Sequence, residues 1–448
     1  METVNILRRN GLFDAKVPRY TSYPPANRFE MGVGQRYQPK WLENLDAAEP
    51  VSIYVHIPFC KRLCWFCACR TQGTKTLSPV ETYIADVIAE IDAVAKRTPD
   101  GLPMARLHLG GGTPTILNAT LMAQLLDAIF EKFSKAEDFE FSVEIDPTDA
   151  EPDVLKVLAD HGMQRASIGV QDFAPKVQKA IGRMQSFEVT RKIANQLRYN
   201  GIQSLNIDLL YGLPEQTITS MSETLDKAVK LSPDRLALYG YAHVPHVSKR
   251  QVMIPSDRLP DPEYRYHMAQ HASQRLRGFG YQSLGIDHFA LPSDSLAKAA
   301  NSGQMRRNFQ GYTDDPCHTL LGFGASAISQ FKQGYVQNAV ATAAYSERVR
   351  TGGTAGHKGI AMSAEEHLIA TLISGIMCYG EIRFSNVQSE DVAWTKQAVI
   401  VLQQQFPELL QVNTEGLFLK PQMWAAARLI AGHLDQSLQS THIHSLAI

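Results

Sequence analysis

The 448-residue sequence has no excess of charge of either sign and no long apolar run. Its formal net charge is −1, so no broad basic field is available to attract nucleic acid or an anionic membrane. No apolar stretch is long enough to span a bilayer, and the first residues lack the apolar core of a signal peptide. Internal repeats and low-complexity tracts are also lacking. We therefore expect a soluble protein of two or three domains that binds neither nucleic acid nor membrane.

Cysteine is scarce, with six residues, yet four of the six fall within ten positions, at Cys60, Cys64, Cys67 and Cys69. The first three have the spacing C-x3-C-x2-C. This spacing allows one short loop to place three thiolates on three irons of a [4Fe–4S] cube and leaves the fourth iron without a protein ligand. An open iron is a reactive site, so the loop indicates chemistry rather than electron storage alone. We predict that Cys60, Cys64 and Cys67 are the metal ligands.

Three other interpretations of the cysteines are less complete. A structural zinc site usually needs a second cysteine or histidine pair at a distance, and none is obvious. A thioredoxin-like pair at Cys64 and Cys67 leaves Cys60 and Cys69 unexplained. A disulfide framework is typical of small secreted chains. Zinc is the main alternative to the cluster. Thiolates and an oxygen-sensitive cluster fit the reducing cytoplasm, which is the location we expect.

Short apolar runs that alternate with helical patterns predict a parallel sheet. Six such strand–helix units favour right-handed crossovers in an open sheet or a barrel. A capping-box pattern, Ser78-Pro-Val-Glu81, predicts the start of the first helix, and another helix is predicted over Leu121–Phe133. The predicted strands are Val51–Ile57, Arg106–Leu109, Phe139–Ile145, Arg165–Val170, Ser204–Leu210 and Arg235–Tyr241.

The organisation around this alternation predicts three parts. Residues 1–35 are expected to form an irregular arm, either a packed extension or a cover for a substrate, because prolines and glycines interrupt them. Residues 36–350 form the α/β part. Residues 351–448 form a mostly helical C-terminal domain with a possible short hairpin near Leu410–Lys420. Its predicted helices are Ala364–Ile376, Val387–Gln405 and Gln422–Leu438.

The unusual residues of the α/β part follow the ends of its predicted strands. In parallel α/β barrels the active site is built from the carboxyl ends of the strands. We therefore place the active site at that end of the sheet. In chain order the strand ends carry the cysteine loop, Gly110-Gly-Gly-Thr-Pro, Glu144, Gln171, Asp208 and Ala242-His243.

These motifs resemble those of the radical S-adenosylmethionine (SAM) enzymes and, more narrowly, those of the oxygen-independent coproporphyrinogen III oxidases (dehydrogenases). The resemblance covers almost the whole chain and implies a partial (β/α)6 barrel. The phrases that carry it include Pro18-Arg-Tyr-Thr-Ser-Tyr-Pro, Tyr54-Val-His-Ile-Pro-Phe-Cys, Val143-Glu-Ile-Asp-Pro, Gly169-Val-Gln-Asp-Phe, Asp208-Leu-Leu-Tyr-Gly-Leu-Pro, Arg307-Asn-Phe-Gln-Gly-Tyr-Thr and Leu321-Gly-Phe-Gly-Ala-Ser-Ala-Ile-Ser.

The resemblance implies the oxidative decarboxylation of two propionates of coproporphyrinogen III to the vinyl groups of protoporphyrinogen IX, in anaerobic haem biosynthesis. A propionate β-carbon holds an unactivated C–H bond, which a cofactor-derived 5′-deoxyadenosyl radical can attack and a protein base cannot. The implied cofactors are one [4Fe–4S] cluster and two molecules of SAM. The implied partners are the substrate and a low-potential electron donor such as flavodoxin or ferredoxin, and we expect a monomer.

The resemblance also implies roles for individual residues, with no catalytic residue beyond the cluster and SAM. Cys69 matches the family's extra cysteine, which is not expected to bind the cube. Arginines near the mouth are expected to meet the four substrate carboxylates, and the candidates are Arg19, Arg70, Arg306 and Arg307. The residues expected to hold the first SAM are Tyr54, Gly111, Glu144 and Ile328. Those expected to hold the second are Phe66, Gly112, Thr113, Gln171, Arg183, Asp208 and Ala242.

One short phrase departs from the family pattern. The familiar Cys-Gly-Cys-Asn is Cys67-Ala-Cys-Arg70 here, so a methyl group disfavours positive φ and a charge is added near the cluster. Two alternatives share the scaffold. A haem chaperone of the same superfamily generally lacks the second cysteine of C-x-C and the Arg307–Thr313 phrase, both of which are present. A radical SAM haem-degrading methyltransferase is the other.

Overall fold

The computed structural model describes residues 2–435 and 446–448. None of the helices in this part of the chain combines the length and the apolar character that crossing a membrane requires. The helices are α1 (Glu2–Arg9), α2 (Val33–Glu43), α3 (Ser78–Ala95), α4 (Ala119–Lys132), α5 (Pro152–Asp160), α6 (Pro175–Ala180), α7 (Phe187–Tyr199), α8 (Ile218–Val229), α9 (Pro262–Gly278), α10 (Ser295–Asn301), α11 (Thr342–Gly352), α12 (Ala364–Tyr379), α13 (Val392–Gln405) and α14 (Ala427–Leu434).

Short 3-10 turns supplement the helices at Ala26–Arg28, Pro114–Ile116, Lys249–Met253, Ser256–Arg258, Phe384–Asn386, Ser389–Asp391 and Pro421–Ala426. The strands are β1 (Glu30–Met31), β2 (Val51–Ile57), β3 (Phe59–Cys60), β4 (Gln72–Gly73), β5 (Pro103–Gly111), β6 (Ser134–Ile145), β7 (Arg165–Gln171), β8 (Ser204–Tyr211), β9 (Arg235–Gly240), β10 (Gln282–Leu284), β11 (His288–Ala290), β12 (Arg306–Asn308), β13 (Gly311–Thr313), β14 (Leu320–Phe323), β15 (Ile328–Phe331), β16 (Gly334–Asn338), β17 (Gly356–Ala361), β18 (Glu381–Arg383), β19 (Leu410–Val412) and β20 (Gly416–Leu419).

The described residues form a sheet of thirteen strands in the order β1-β17-β16-β15-β14-β2-β5-β6-β7-β8-β9-β11-β10. Its centre, from β14 to β9, is parallel, and the outer strands on both sides are antiparallel. The six predicted strands are confirmed as β2 and β5–β9, so their carboxyl ends lie along one edge of the sheet. β14, which extends the parallel set beside β2, was missed by the sequence analysis.

The sheet is covered by helices whose apolar faces build the main core. α4 begins after Asn118, whose side chain accepts a hydrogen bond from Leu121 N at 2.9 Å, and its Leu125, Leu126 and Ile129 are fully buried. The capping box predicted at Ser78 is wrong. The Leu77 carbonyl already accepts from the amides of residues 80 and 81, so Ser78 is the first helical residue and caps nothing.

A second core joins the two ends of the chain. The predicted irregular arm begins instead with a helix, α1, because Val4 and Leu7 pack among apolar side chains of α12 and α14. The hairpin predicted near residues 410–420 is confirmed as β19 and β20. α13 begins at Val392, later than predicted, after two 3-10 turns. The predicted last helix is split between a 3-10 turn and α14, and its residues 436–438 lie outside the described part.

The main sheet continues past the predicted boundary between the α/β part and the C-terminal part. β17 pairs antiparallel with β16 and β1 and therefore belongs to the main sheet. It lies after the predicted boundary at residue 351, so the sheet extends beyond residues 36–350. The division into three parts stays a prediction, and a boundary after Ala361 fits the sheet better.

Candidate active site

The cysteine loop lies at the carboxyl end of the parallel strands and is closed at its base. β3 and β4 pair in parallel, and the Gln72 amide donates to the Pro58 carbonyl at 2.7 Å. From outside, Ser248 donates to the Cys67 carbonyl at 2.9 Å, and Gln251 Nε2 donates to the Phe66 carbonyl at 2.8 Å. These contacts fix the loop backbone without using a thiol.

The loop thiols differ in their surroundings. All six cysteines of the chain are free thiols. Cys64 is buried and accepts a hydrogen bond from Arg183 Nη1 at 3.3 Å. A hydrogen bond with the Cys69 thiol lowers the pKa of Cys67 to about 6 and raises that of Cys69 well above its usual range. Burial raises the pKa of Cys60 to about 11.

The glycine turn after β5 touches the start of the cysteine loop. The Gly112 amide donates to the Ile57 carbonyl at 2.8 Å, and the Thr113 amide donates to the Phe59 carbonyl at 2.9 Å. A Cβ at Gly112 would lie 2.6 Å from the Phe59 carbonyl oxygen, and Gly111 has a φ of +110°. Only glycine allows both the backbone approach and this conformation. The backbone of residues 110–112 therefore forms a surface without side chains beside the cysteines, which is called the glycine wall below.

Glu144 and Tyr54 lie on this wall. Glu144 Oε2 accepts from the Gly111 amide at 3.0 Å, and its Oε1 lies 3.5 Å from His108 Nε2. Burial raises the pKa of Glu144, but the hydrogen bonds with His108 and Gly111 outweigh burial and hold it below its usual value. The Tyr54 hydroxyl lies 2.9 Å from His56 Nδ1. Glu144 is therefore an ionised acceptor suited to an amine or to ribose hydroxyls.

Ile328 lies on the other side of β2 from the glycine turn. It opens β15, and a Cβ at Gly322 on β14 would lie 2.7 Å from the Ile328 carbonyl oxygen. Gly322 is in turn the register partner of Tyr54. The four residues expected to hold the first SAM thus lie on β15, β2, β5 and β6, which are close to one another in the sheet. Their individual roles stay predictions.

Three of the residues expected to hold the second SAM, Gln171, Arg183 and Asp208, lie on or beside β7 and β8. Arg183 is buried, donates to the Gly169 carbonyl at 2.8 Å and lies 3.1 Å from Asp146 Oδ2. Burial lowers the pKa of Arg183, but the charges of Asp146 and Cys64 raise it above its usual value. Gln171 follows with a φ of +71°. Arg183 therefore connects this group to the cysteine loop.

Asp208 lies in register with Gly169 on the neighbouring strand. It accepts hydrogen bonds from Ser167 Oγ and Asn206 Nδ2, both at 2.8 Å, and burial raises its pKa. The Oδ1 atom of Asn206 is buried and has no hydrogen-bond partner in the described residues. A ligand that donates hydrogen bonds would satisfy these acceptors.

Gln251 was missed by the sequence analysis and joins the last two predicted contacts. Its Nε2 donates to the carbonyls of both Phe66 and Ala242, at 2.8 and 3.1 Å, and the side chain is almost fully buried. A glutamine in an irregular segment carries no signal that separates it from a surface residue. Only the fold shows that it binds the cysteine loop to the end of β9.

The residues expected to hold the cofactors are together called the cofactor pocket below. A cavity of about 680 Å³ borders this pocket at Ala242. Ends of β8 and β9, α9, β11, the N-terminal arm and the C-terminal part line it. Arg19 and Arg307, two of the four predicted arginines, line the cavity. Arg306 instead donates to the Pro316 carbonyl at 2.9 Å, and Arg70 does not line it. The arginines among the described lining residues are Arg19, Arg265, Arg277, Arg307 and Arg428.

The N-terminal arm is packed and also lines this cavity, whereas its role as a cover for a substrate stays a prediction. Val17 and Tyr20 are buried in the second core, while Arg19 between them lines the cavity. Arg428 Nη2 donates to the Val17 carbonyl at 2.8 Å and its Nη1 donates to the Ala447 carbonyl at 3.1 Å. An antiparallel bridge pairs Lys16 with Leu446. The two distant ends of the chain therefore meet at one side of the cavity.

Comparisons with known proteins agree with this geometry. Residues 54–228 match the model of the radical SAM superfamily. An oxygen-independent coproporphyrinogen III oxidase from Paracoccus denitrificans is 46% identical over 451 residues, covering 100% of both chains. Another with the same name, from Escherichia coli K12, is 38% identical over 375 residues, 83% of this chain and 81% of the relative.

A solved structure of coproporphyrinogen III oxidase from Escherichia coli, described as a radical SAM enzyme, is also similar. It has a TM-score of 0.89 at 34% sequence identity and covers 94% of this chain and 100% of its own. The sheet and the cysteine loop are thus those of a radical SAM protein. Within that superfamily, the chain belongs to the family of oxygen-independent coproporphyrinogen III oxidases.

Family membership makes a [4Fe–4S] cluster and SAM the cofactors, and the site fits them. No three Cys, His, Asp or Glu side chains in the described part of the chain converge as the ligands of a single metal ion would. The cysteine loop instead offers three separate thiols beside the buried Arg183, whose charge suits a thiolate-bound cluster. The glycine wall and the free acceptor of Asn206 provide room and hydrogen-bond partners for SAM.

Proposed function

We propose that this protein converts two propionate side chains of coproporphyrinogen III into the vinyl groups of protoporphyrinogen IX, under anaerobic conditions and with two molecules of SAM. One observation carries the proposal. The cysteine loop and a cavity rich in arginine meet at Ala242, and the substrate needs both a radical source and partners for four carboxylates. The likeness to named oxidases over the full chain supports the same activity.

The side chains of the site would hold the cofactors in place. Cys60, Cys64 and Cys67 would bind three irons, which leaves the fourth for SAM. When bound, the reduced cluster and SAM supply a radical that removes a hydrogen atom from the propionate β-carbon. Glu144, held ionised by His108 and the Gly111 amide, would accept hydrogen bonds from SAM.

Arg183 and Asp208 would orient the second SAM. The Arg183 guanidinium is already fixed by the Gly169 carbonyl and by Asp146, so little ordering is needed when a carboxylate binds nearby. Asp208 is held by Ser167 and Asn206 and would accept from an ammonium or a ribose hydroxyl. Because Arg183 is buried and Asp208 is partly buried, water has limited access to the bound group.

We further propose a cytoplasmic monomer that receives electrons from a low-potential donor such as flavodoxin or ferredoxin. Six free thiols suit the reducing cytoplasm. The outer face of the cysteine loop exposes Lys61 and Leu63, so a donor could approach the loop from solvent.

An anaerobic assay tests the activity. The cluster is reconstituted, reductant, SAM and coproporphyrinogen III are added, and protoporphyrinogen and 5′-deoxyadenosine are measured. We expect both products. Deoxyadenosine without the vinyl product would contradict the substrate assignment. Tight haem binding without turnover would favour a haem chaperone, and methylated tetrapyrroles would favour the haem-degrading methyltransferase.

A pair of cysteine variants tests the ligand assignment in the same assay. Cys64→Ala should lose cluster iron and product together, because it removes one of three iron ligands. Cys69→Ala is the matched control and should keep at least part of its iron. Loss of all iron in Cys69→Ala would overturn the assignment of the three ligands.

A further inference from the structure

The cavity beside the cofactor pocket carries an excess of positive side-chain charge, part of which is buried. Five arginines line it, whereas Asp287 is the one side-chain carboxylate among its described lining residues. Asp287 is already engaged, because its Oδ1 lies 2.7 Å from His288 Nδ1. Buried charges in proteins are normally paired. Among the described lining residues, side-chain carboxylates are therefore too few to pair with all of the arginines.

Arg265 is the best placed of these arginines. It extends from α9, and its Nη2 donates to the Tyr241 carbonyl at 2.8 Å. Its Nε is buried and has no hydrogen-bond partner within residues 2–435 and 446–448. A Cβ at Gly212 would lie 2.7 Å from Nε, and a Cβ at Gly240 would lie 3.2 Å from Nη2. Two glycines, one just after β8 and one ending β9, thus leave the space that the guanidinium occupies.

Arg19 lies beside Arg265. Its Nη2 donates to the Gly240 carbonyl at 2.6 Å, so the two guanidinium groups bind consecutive carbonyls. The next residue is Ala242, an expected contact of the second SAM. Burial lowers the pKa of Arg265, and the neighbouring charge of Arg19 adds to this effect. The two cations therefore repel each other at the border of the cofactor pocket unless an anion lies between them.

Arg307 offers a second free donor in the same cavity. Its Nε donates to the Tyr20 carbonyl at 3.0 Å, and its guanidinium lies 4.4 Å from the centre of the Tyr312 ring. Its Nη1 is buried, has no hydrogen-bond partner in the described chain, and lies 4.0 Å from Asp287 Oδ1. Its Nη2 donates to the Arg19 carbonyl at 3.3 Å, so Nη1 is the one guanidinium nitrogen without a hydrogen-bond partner in the described residues.

We propose that Arg265, together with Arg19, binds one carboxylate of the tetrapyrrole and that Arg307 binds a second. This inference rests on the proposed function and names the residues that recognise the substrate. Guanidinium groups bind carboxylates with directed, charge-assisted hydrogen bonds. Arg265 lies nearest to Ala242, so its carboxylate belongs to a side chain close to the reacting propionate. Arg307 anchors a side chain farther from the cofactors.

Substrate kinetics of Arg265→Gln test the first contact. Loss of a hydrogen bond to a charged group should raise the KM for coproporphyrinogen III about 10- to 100-fold. Cluster iron and SAM cleavage without substrate should be unchanged, because Arg265 touches neither. Arg265→Lys should recover part of the loss. The matched control is Arg275→Gln on the same helix, which pairs with Asp226 at the surface and should leave KM unchanged.

A binding measurement keeps the test valid for Arg307, whose replacement also removes a contact with the arm. Quenching of protein fluorescence gives the Kd of coproporphyrin III, with four carboxylates, and of deuteroporphyrin IX, with two. The preference of the wild type for four carboxylates should fall in Arg265→Gln and in Arg307→Gln. General loosening of the cavity would instead raise the Kd of both porphyrins by the same factor, and that result would overturn the proposal.

The same measurements separate this inference from the proposed function. An unchanged KM and preference in both variants, in an enzyme that forms protoporphyrinogen, would overturn the inference and leave the function standing. A wild type with full cluster that neither binds coproporphyrin nor forms the vinyl product would overturn the function itself.

Discussion

Buried arginines occur at both ends of the parallel sheet, but their partners differ. At the amino end, Arg235 Nη2 lies 2.7 Å from Asp294 Oδ1, and Arg165 lies 2.9 Å from Glu140 and 3.4 Å from Asp294. At the carboxyl end, Arg265 and Arg307 bind mainly backbone carbonyls and keep buried N–H groups without partners in the described residues. Arg183, also at the carboxyl end, does pair with a carboxylate, Asp146, so the contrast concerns Arg265 and Arg307, which line the cavity.

The ion-paired arginines at the amino end stabilise the fold, whereas the arginines at the carboxyl end form a binding surface. A buried charge without a counter-charge costs several kcal/mol, so a fold keeps one only where something else compensates it. At the amino end the protein supplies the compensation itself. At the carboxyl end, where the cofactor pocket lies, we propose that the substrate carboxylates supply the compensating negative charge. This division matches the rule that one face of such folds serves stability and the other serves function.

The largest expected effect on stability is that of Asp294→Asn at the amino end. Asparagine also caps helices, so the start of α10 is kept while the charge that faces Arg165 and Arg235 is lost. Burial and repulsion from Arg165 already lower the pKa of Arg235, and Asp294 is one of the carboxylates that offset this effect. We expect the free energy of unfolding to fall by about 3 kcal/mol.

Anaerobic urea denaturation at matched cluster content measures this loss, and KM for the substrate should not change. A loss below about 1 kcal/mol would mean that the buried ion pairs of Asp294 stabilise the fold no more than an exposed ion pair does. A raised KM with unchanged stability would contradict the division between the two ends.

Glu90 gives a smaller effect and extends the comparison to a buried carboxylate without a cation. On α3 it accepts hydrogen bonds from the Gly324 amide, Asn338 Nδ2 and the Tyr345 hydroxyl, at 2.8, 2.8 and 2.7 Å. Burial raises its pKa from 4.5 to about 7. The folded state therefore binds more protons than the unfolded state between these values, and stability falls as the pH rises through this window.

The variant Glu90→Gln should lose this pH dependence because it has no proton to release. The stability difference between wild type and variant should change by about 2–3 kcal/mol between pH 4.5 and pH 7, in the direction that disfavours the wild type at the higher pH. Urea denaturation across this range measures it. Parallel stability curves would show that Glu90 keeps an ordinary pKa.

The smallest expected effect is that of Asp226→Asn, the surface counterpart of Asp294→Asn. Asp226 binds Arg275 at 2.6 Å, but both side chains are more than one-third exposed. Water screens such a pair, so the loss should be less than about 1 kcal/mol, measured in the same way. If this variant matched Asp294→Asn, burial would not be the property that distinguishes the arginines.

The sheet and the cofactor pocket could be predicted because their signals are local. β2 is a mostly apolar run, and the cysteines and the glycine turn directly follow strands, so topology alone brings them together. β14 was missed because it is four residues long and contains a glycine within an irregular segment. The sequence does not predict the helix at residues 2–9 because apolar residues of the C-terminal core, far away in the sequence, stabilise it.

The arginine cavity could be predicted only in part. Arg19, Arg265 and Arg428 come from the arm, from α9 and from α14, and no spacing pattern links them. Arg265 lies on a helix rich in polar residues, where an arginine normally faces solvent. Its role depends on the two glycines of β8 and β9 that make room for it, and this is a property of the folded molecule.

Arg428 joins residues 17 and 18 to residues 446 and 447 beside the cavity. Val17 and Arg428 are 411 positions apart in the sequence, so this side of the cavity exists only when remote segments have come together. The cysteine loop, in contrast, directly follows β2, so the two neighbouring sites differ in how far their construction depends on long-range folding.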